Sequence, residues 1–293
     1  MWKCVCLSAL SMILFVSCDA IDQVIEAVES VESSEESYDL NVEGESRLVG
    51  KSLDVVSKQH MYDIQVKYST PNGTVIPGDM EWAMARRNWF QVIAEDKVRE
   101  TLLVDKKSFE MSIQNYQSGK ERKSISPLLN IPVLHEKVDG KWKSTPEGKI
   151  LMTKQVKKLL ESSFDLEETD GVYGFQARSV GDEWEADAKY MDIEGISGGT
   201  LKMKFLKVEE YEGQECAIIS MKAELHGSMG QEGISMNMKM DAEIIRSLQY
   251  YVDLSIKGGG EVVFAGVAHG GVRLQGTGKM KMDYTTKVVE PES

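Results

Sequence analysis

The chain has 293 residues, with 47 acidic against 34 basic side chains and a formal net charge of -13. That field repels phosphate backbones, and no basic stretch interleaved with aromatic residues offsets it, so no nucleic-acid partner is expected. The length suffices for a sizeable core in one large domain or two smaller ones.

At the N-terminus Lys3 precedes an uncharged, largely apolar run from Val5 to Val16. The run is too short for a stable transmembrane span, and a positive residue ahead of it marks a secretory signal. It ends in Phe15-Val16-Ser17-Cys18, which resembles the bacterial lipobox, with Phe15 where Leu is more usual. The resemblance implies cleavage after Ser17 and acylation of Cys18, since the thiolate is the nucleophile that takes the diacylglycerol and a small residue must precede it. An ordinary secretory signal, with Cys18 left as a plain thiol, is the alternative. On the first reading residues 1–17 are a lipoprotein signal peptide, and Cys18 with its acyl groups, palmitate among them, anchors the chain in a lipid bilayer. Each buried methylene contributes about 0.8 kcal/mol, so two or three chains hold firmly where one is marginal. The expected location is the bacterial cell envelope, at the outer or inner membrane, facing periplasm or surface. Asp19 resembles an inner-membrane retention residue of some bacteria and leaves that choice open.

Residues 18–45 read as the lipidated cysteine and an acidic flexible tether, because Glu and Ser dominate 26–37 without an apolar pattern that could bury itself. Ile21, Val24, Ile25 and Val28 nevertheless sit at helical spacing, as in a short amphipathic helix at a membrane surface. Cys4 and Cys6 depart with the signal and Cys18 is capped, which leaves Cys216 as one thiol without an internal partner. The fold therefore cannot rely on disulfides.

Residues 46–293 read as a β-rich body, either single or in two halves divided near 165–180. In Tyr62-Asp63-Ile64-Gln65-Val66-Lys67-Tyr68 the apolar residues recur every second position, which predicts one strand face, and Asn72-Gly73 predicts a turn. Met80 to Val92 fits a helix capped by Asp79, with strand alternation through Trp82 and Met84 as the competing reading. Val98 to Val104 and Ser108 to Tyr116 suggest a hairpin around Asp105-Lys106-Lys107, and Val133 to Lys143 another around Asp139-Gly140. Thr153 to Phe164 places Val156, Leu159, Leu160 and Phe164 on one helical face with lysines opposite. Beyond Gly181 come runs at Thr200–Val208, Cys216–Leu225, Ile234–Met240, Gln249–Ile256, Glu261–Ala268 and Val272–Val288, with a turn at Glu212-Gly213. Gly258-Gly259-Gly260 is read as a hairpin turn, since strands flank it and no phosphate-cradling helix follows. The expected fold is mainly β: a large curved antiparallel sheet or half-barrel with one or two packed helices. Glycines at 266, 276 and 278 inside strands point to curvature.

Chemistry-bearing motifs are sparse. His60, His135, His226 and His269 are scattered without metal-ligand spacing, so neither metal nor other cofactor is expected. Neither Ser197 nor Ser228 lies in a Gly-x-Ser-x-Gly elbow. The least ordinary feature is methionine: Met236, Met238 and Met240 alternate on one strand face, Met280 and Met282 on another, with Met203 and Met221 on neighbouring strands. Unbranched thioethers make an adaptable apolar surface that suits core packing or an apolar-ligand face, and soft Cu(I) is a third use.

The anchored, acidic body with Gly181-Asp182-Glu183-Trp184 ahead of a run of long strands resembles uncharacterised bacterial lipoproteins whose general form is similar to the LolA-like half-barrel carriers. The resemblance lies in the lipobox and, as a pattern, over residues 46–290. It implies a concave apolar face that holds acyl chains or lipoproteins, for which the methionine strands are the candidates, and it transfers no individual residue. The expected role is a non-enzymatic envelope lipoprotein that binds an apolar ligand or another envelope protein. A structural surface scaffold is the alternative. A hydrolase assembled from distant carboxylates and histidines is a third reading, and it requires a cleft in which His269 or another histidine meets a carboxylate and a nucleophile.

Overall fold

The computed structural model describes residues 36–41, 47–113, 116–119, 126–161, 164, 170–191, 196–229, 234–268 and 271–291. The chain divides into two units, Met1–Ser37 and Tyr38–Ser293, and of the first only Glu36 and Ser37 are described. Residues 1–17, read above as a signal peptide, Cys18 and the helical spacing from Ile21 lie outside the described residues.

Strands dominate the unit from Tyr38 onward. In chain order they are β1 (Ser37–Tyr38), β2 (Ser52–Ser69), β3 (Val75–Ala94), β4 (Lys97–Ile113), β5 (Tyr116–Gly119), β6 (Pro132–Val138), β7 (Lys141–Pro146), β8 (Arg178–Ser179), β9 (Glu183–Asp187), β10 (Ile196–Tyr211), β11 (Gln214–Met229), β12 (Ile234–Ser247), β13 (Asp253–Ala268) and β14 (Val272–Val289). Among the described residues two α-helices, α1 (Lys154–Glu161) and α2 (Asp170–Tyr173), fall between β7 and β8, and a 3-10 turn, Ala188–Tyr190, follows β9. All strands but β1 and β8 belong to one sheet, ordered β7-β6-β4-β3-β2-β14-β13-β12-β11-β10-β9, with β5 paired to β4 off this path. Two meanders thus meet where the first long strand pairs antiparallel with the last, β2 with β14. The terminal strands β7 and β9 do not pair with each other, so the sheet is open.

Alternation along each strand sorts the side chains. Leu201, Met203 and Phe205 of β10 are buried while Lys202 and Lys204 between them are exposed, and β12 repeats the pattern. The buried, inner face collects the apolar set. On the outer face charges of opposite sign face each other across strands, as in the row Glu224, Lys239, Glu261, Lys279 and the row Glu243, Lys257, Asp283, Lys58. Such pairs contribute little individually. Together they mark a wall that meets water, whereas the outward band of a transmembrane barrel is apolar.

Several sequence expectations are corrected. Met80–Val92 is strand, within β3, because Met80, Trp82, Met84 and Phe90 need the two-residue period to share the inner face. The stretch 98–116 is not a hairpin: β4 runs through Asp105-Lys106-Lys107, whose members pair in register with Arg86, Ala85 and Met84 of β3, and one irregularity near Leu103 accommodates the charged interruption. β13 likewise runs straight through Gly258-Gly259-Gly260, with no hairpin there. A Cβ on Gly260 would lie 1.8 Å from the Lys239 carbonyl oxygen, so the neighbouring strand approaches closely where a turn was expected. In β2 a bulge at Asp63 (φ 52°) shifts the phase, so Met61 faces inward and Tyr62 no longer shares a face with Ile64, Val66 and Tyr68. The helix expected over 153–164 spans Lys154–Glu161, with the Thr153 hydroxyl accepting from the Val156 N–H, and it buries Val156 but leaves Leu159 exposed. The Asp139-Gly140 and Glu212-Gly213 turns are as expected, with positive φ at all four residues.

Candidate functional site

The inner face gathers the seven expected methionines. Met203, Met221, Met236, Met238, Met240, Met280 and Met282 are all buried in one hydrophobic cluster with Leu201, Phe205, Ile219, Val262 and Phe264. Register places them in rows across the sheet. Met203 faces Met221, and Met240, Gly260, Met280 and Met61 form one line over four strands. Met236 faces Phe264, which in turn covers Gly276, where a Cβ would lie 2.2 Å from the ring. Met61, Met80 and Met84 join the same face and were not singled out from the sequence. The bulge at Asp63 hid the first, and the helical reading of 80–92 hid the other two.

Two segments outside the large sheet pack against this cluster: residues 38–41, and α2 with the residues after it. Tyr38 meets Phe205 edge-on at 5.8 Å, and Leu40, Val172 and Tyr173 are buried in the cluster. Their polar fastening is Arg246 of β12, whose side chain is wholly buried. Its guanidinium donates to the Leu40 carbonyl (2.6 Å), to Asp253 Oδ1 (2.8 Å) and to Asn41 Oδ1 (3.5 Å), and lies 3.8 Å from the Tyr173 ring centroid. Tyr173 Oη donates to the same Asp253 oxygen at 2.8 Å. Burial, followed by the Asp253 charge, drives the Tyr173 hydroxyl well above the usual phenol range, so it remains a donor. Trp184 Nε1 donates to the Val172 carbonyl at 2.9 Å, and Arg178 lies over the Trp184 ring. No sequence motif announces this clamp, because its partners come from four separate stretches.

Away from the methionines, the inner face of β3, β4, β6 and β7 has a different character. Leu48, Leu53, Val92 and Val98 form a second cluster, with Phe90, Trp142 and Phe164 packed on it. His135 is buried there, its Nε2 3.1 Å from Glu100 Oε2 and its Nδ1 2.9 Å from Ser144 Oγ. A neutral ring protonated on Nε2 satisfies both contacts: it donates to the carboxylate and accepts from the hydroxyl. Phe164 stacks on the ring at 3.8 Å, nearly parallel. The hydrolase reading required a histidine, a carboxylate and a nucleophile to meet in a cleft, whereas His135, Glu100 and Ser144 meet beside the second apolar cluster with His135 buried. Here Ser144 and His135 are direct cross-strand partners, and the stacked phenyl covers one face of the imidazole. Of the other histidines, His60 is exposed and contacts Glu81 at 2.6 Å, and His269 lies outside the described residues. Cys216 is buried and its thiol is pushed up to about 11 by that burial, which keeps it protonated and unreactive near neutrality. Among the described residues no group of three or more His, Cys, Asp or Glu is placed to hold a metal ion, and no helix is long and apolar enough to cross a membrane.

No protein-family model matches the chain, and no curated protein matches it. Among solved structures it is similar to one titled "Lipid-protein interactions in lipovitellin", at 10% identity and a TM-score of 0.39, covering 84% of this chain and 26% of that one. The chain therefore spans about a quarter of that neighbour's length. It is also similar to a Salmonella typhi OmpF complex with daunomycin, at 8% identity and a TM-score of 0.19, covering 82% of this chain and 98% of that one. At those scores neither neighbour fixes the fold or the activity of this chain.

Proposed function

We propose that this protein is a bacterial envelope lipoprotein, anchored through an acylated Cys18, whose sheet binds an apolar ligand such as an acyl chain on its inner face. The observation that carries the reading is the division of the sheet into two unlike faces: charged rows outside, methionines and glycines inside. A thioether surface repacks around irregular apolar shapes at small cost. From Gly276 to Met282 the methionine rows extend about 20 Å along β14, enough for an acyl chain that spans one leaflet, half of a core about 30 Å thick. Entry of such a chain requires the Arg246-clamped segments to move, because the methionines are enclosed with those segments in place.

That enclosure favours a second reading, a structural scaffold whose methionines serve as packing alone. Native mass spectrometry of protein extracted from its own membrane separates the two. The binding reading expects a non-covalent lipid retained on the chain in addition to the acyl mass on Cys18, and Cys18→Ala is expected to move the protein to the aqueous fraction with its non-covalent lipid still bound. Protein that carries only the covalent acyl group supports the scaffold, and an unmodified Cys18 removes the anchor.

A further inference from the structure

Between the two apolar clusters a belt of polar side chains crosses the inner face, one to two rows beyond the methionines. It comprises Arg246 of β12, Thr286 of β14, Ser57 of β2, Arg86 and Asn88 of β3, and Asp105 of β4. Its charges are compensated: Arg86 Nε lies 3.3 Å from the nearly buried Asp105 carboxylate, and Arg246 is paired with Asp253. Two neutral atoms are not satisfied. Asn88 Oδ1 and Thr286 Oγ1 are buried and have no hydrogen-bond partner among the described residues, with Thr286 only 5% exposed. Both residues pair with Val55, one on either side, so their Cα atoms are about 10 Å apart over a valine floor. Buried polar atoms without partners are rare in folded proteins, and two facing the same valine mark this stretch of the belt as able to take further hydrogen bonds.

We propose that Asn88 and Thr286 receive the uncharged, hydroxyl-bearing head of a single-chain amphiphile whose tail lies along the methionine rows; the inference rests on the reading that the inner face takes an acyl chain. The chemistry selects the head. The Asn88 oxygen only accepts and needs a donor, while the Thr286 hydroxyl both donates and accepts. A glycerol-type head supplies hydroxyls for both. A carboxylate donates nothing to Asn88, and its charge would find the belt's cations already paired with Asp105 and Asp253. A plain alkane leaves both atoms unsatisfied.

The test uses full-length protein stripped of lipid and a fluorescent apolar probe displaced in turn by monopalmitoylglycerol, palmitate and dodecane. Monopalmitoylglycerol is expected to displace the probe at about tenfold lower concentration than palmitate, the effect of one or two good hydrogen bonds. Thr286→Val and Asn88→Leu are each expected to erase most of that preference and to leave dodecane displacement unchanged. Thr286→Val is nearly isosteric and removes an unsatisfied atom, so its melting temperature is expected at or above that of the parent, which keeps a folding defect from masking the result. Displacement by all three ligands with no preference, or a preference that survives both variants, overturns the head-group assignment and leaves the apolar-face reading intact. A protein whose probe none of the three displaces overturns that reading and this inference with it.

Discussion

The two flanks of the inner face hold themselves together by different means. On β10 to β14 the rows of methionine, leucine and glycine pack through non-directional contacts and small side chains. On β3, β4, β6 and β7 the same face uses fixed geometry, with His135 between Glu100 and Ser144 and Phe164 stacked above. Directional contacts specify one arrangement, whereas thioethers tolerate many. The contrast assigns adaptability to the methionine flank and rigidity to the histidine flank, with the Arg246 clamp holding segments 38–41 and α2 over the former.

The sharpest way to break that comparison is at the clamp. Arg246→Met leaves Asp253 buried without its cation, and removal of one partner of a buried pair costs about 3–5 kcal/mol. Urea unfolding is expected to record a loss of that size, and hydrogen exchange to rise first in α2 and residues 38–41; an unchanged midpoint would sever those segments from the account. Next in size is Met238→Ala, expected to cost about 2–4 kcal/mol through the lost contacts and the cavity left behind. Met238→Leu, near in volume, is expected to cost less than about 1.5 kcal/mol. If the leucine change is as damaging as the alanine one, the methionine flank is as shape-specific as the other and is not adaptable. On the histidine flank, His135→Leu leaves Glu100 and Ser144 without their partner and is expected to cost about 1–3 kcal/mol despite the similar size of the side chain.

The smallest effect concerns acid. The Arg87 guanidinium beside Asp54, and the Arg99 guanidinium beside Glu147, hold those carboxyls below the usual range. A carboxyl lowered by folding contributes stability in full above its unfolded value, about 4, and loses it as pH falls through the lower folded value. Unfolding midpoints are therefore expected to be flat down to about pH 5 and then to decline, with Arg87→Ala flattening part of the decline. A decline that begins near neutrality would implicate other groups.

How much of this was legible depended on the range of each signal. The long alternating runs of β10, β12 and β14 announced their strands and their methionine face, because period two is written in consecutive residues. The phase of β2 did not, since the bulge at Asp63 exchanges the faces on either side of it and leaves no local mark beyond Tyr62-Asp63. Charged residues inside β4 and glycines inside β13 imitated turns, because their tolerance in a strand is decided by neighbouring strands that the local sequence does not name. The Arg246 clamp and the His135 contacts were illegible for the same reason: each joins residues from three or more stretches of chain.

The claim on which the rest depends is that the methionine face takes up an acyl chain. Photo-crosslinking of the full-length protein with a diazirine-bearing palmitoyl probe, followed by peptide mapping, tests it most directly. The account expects adducts concentrated in Met236–Met240 and Met280–Met282 and competed away by unlabelled lipid. Adducts spread over the charged outer rows, or none above a denatured control, would contradict it.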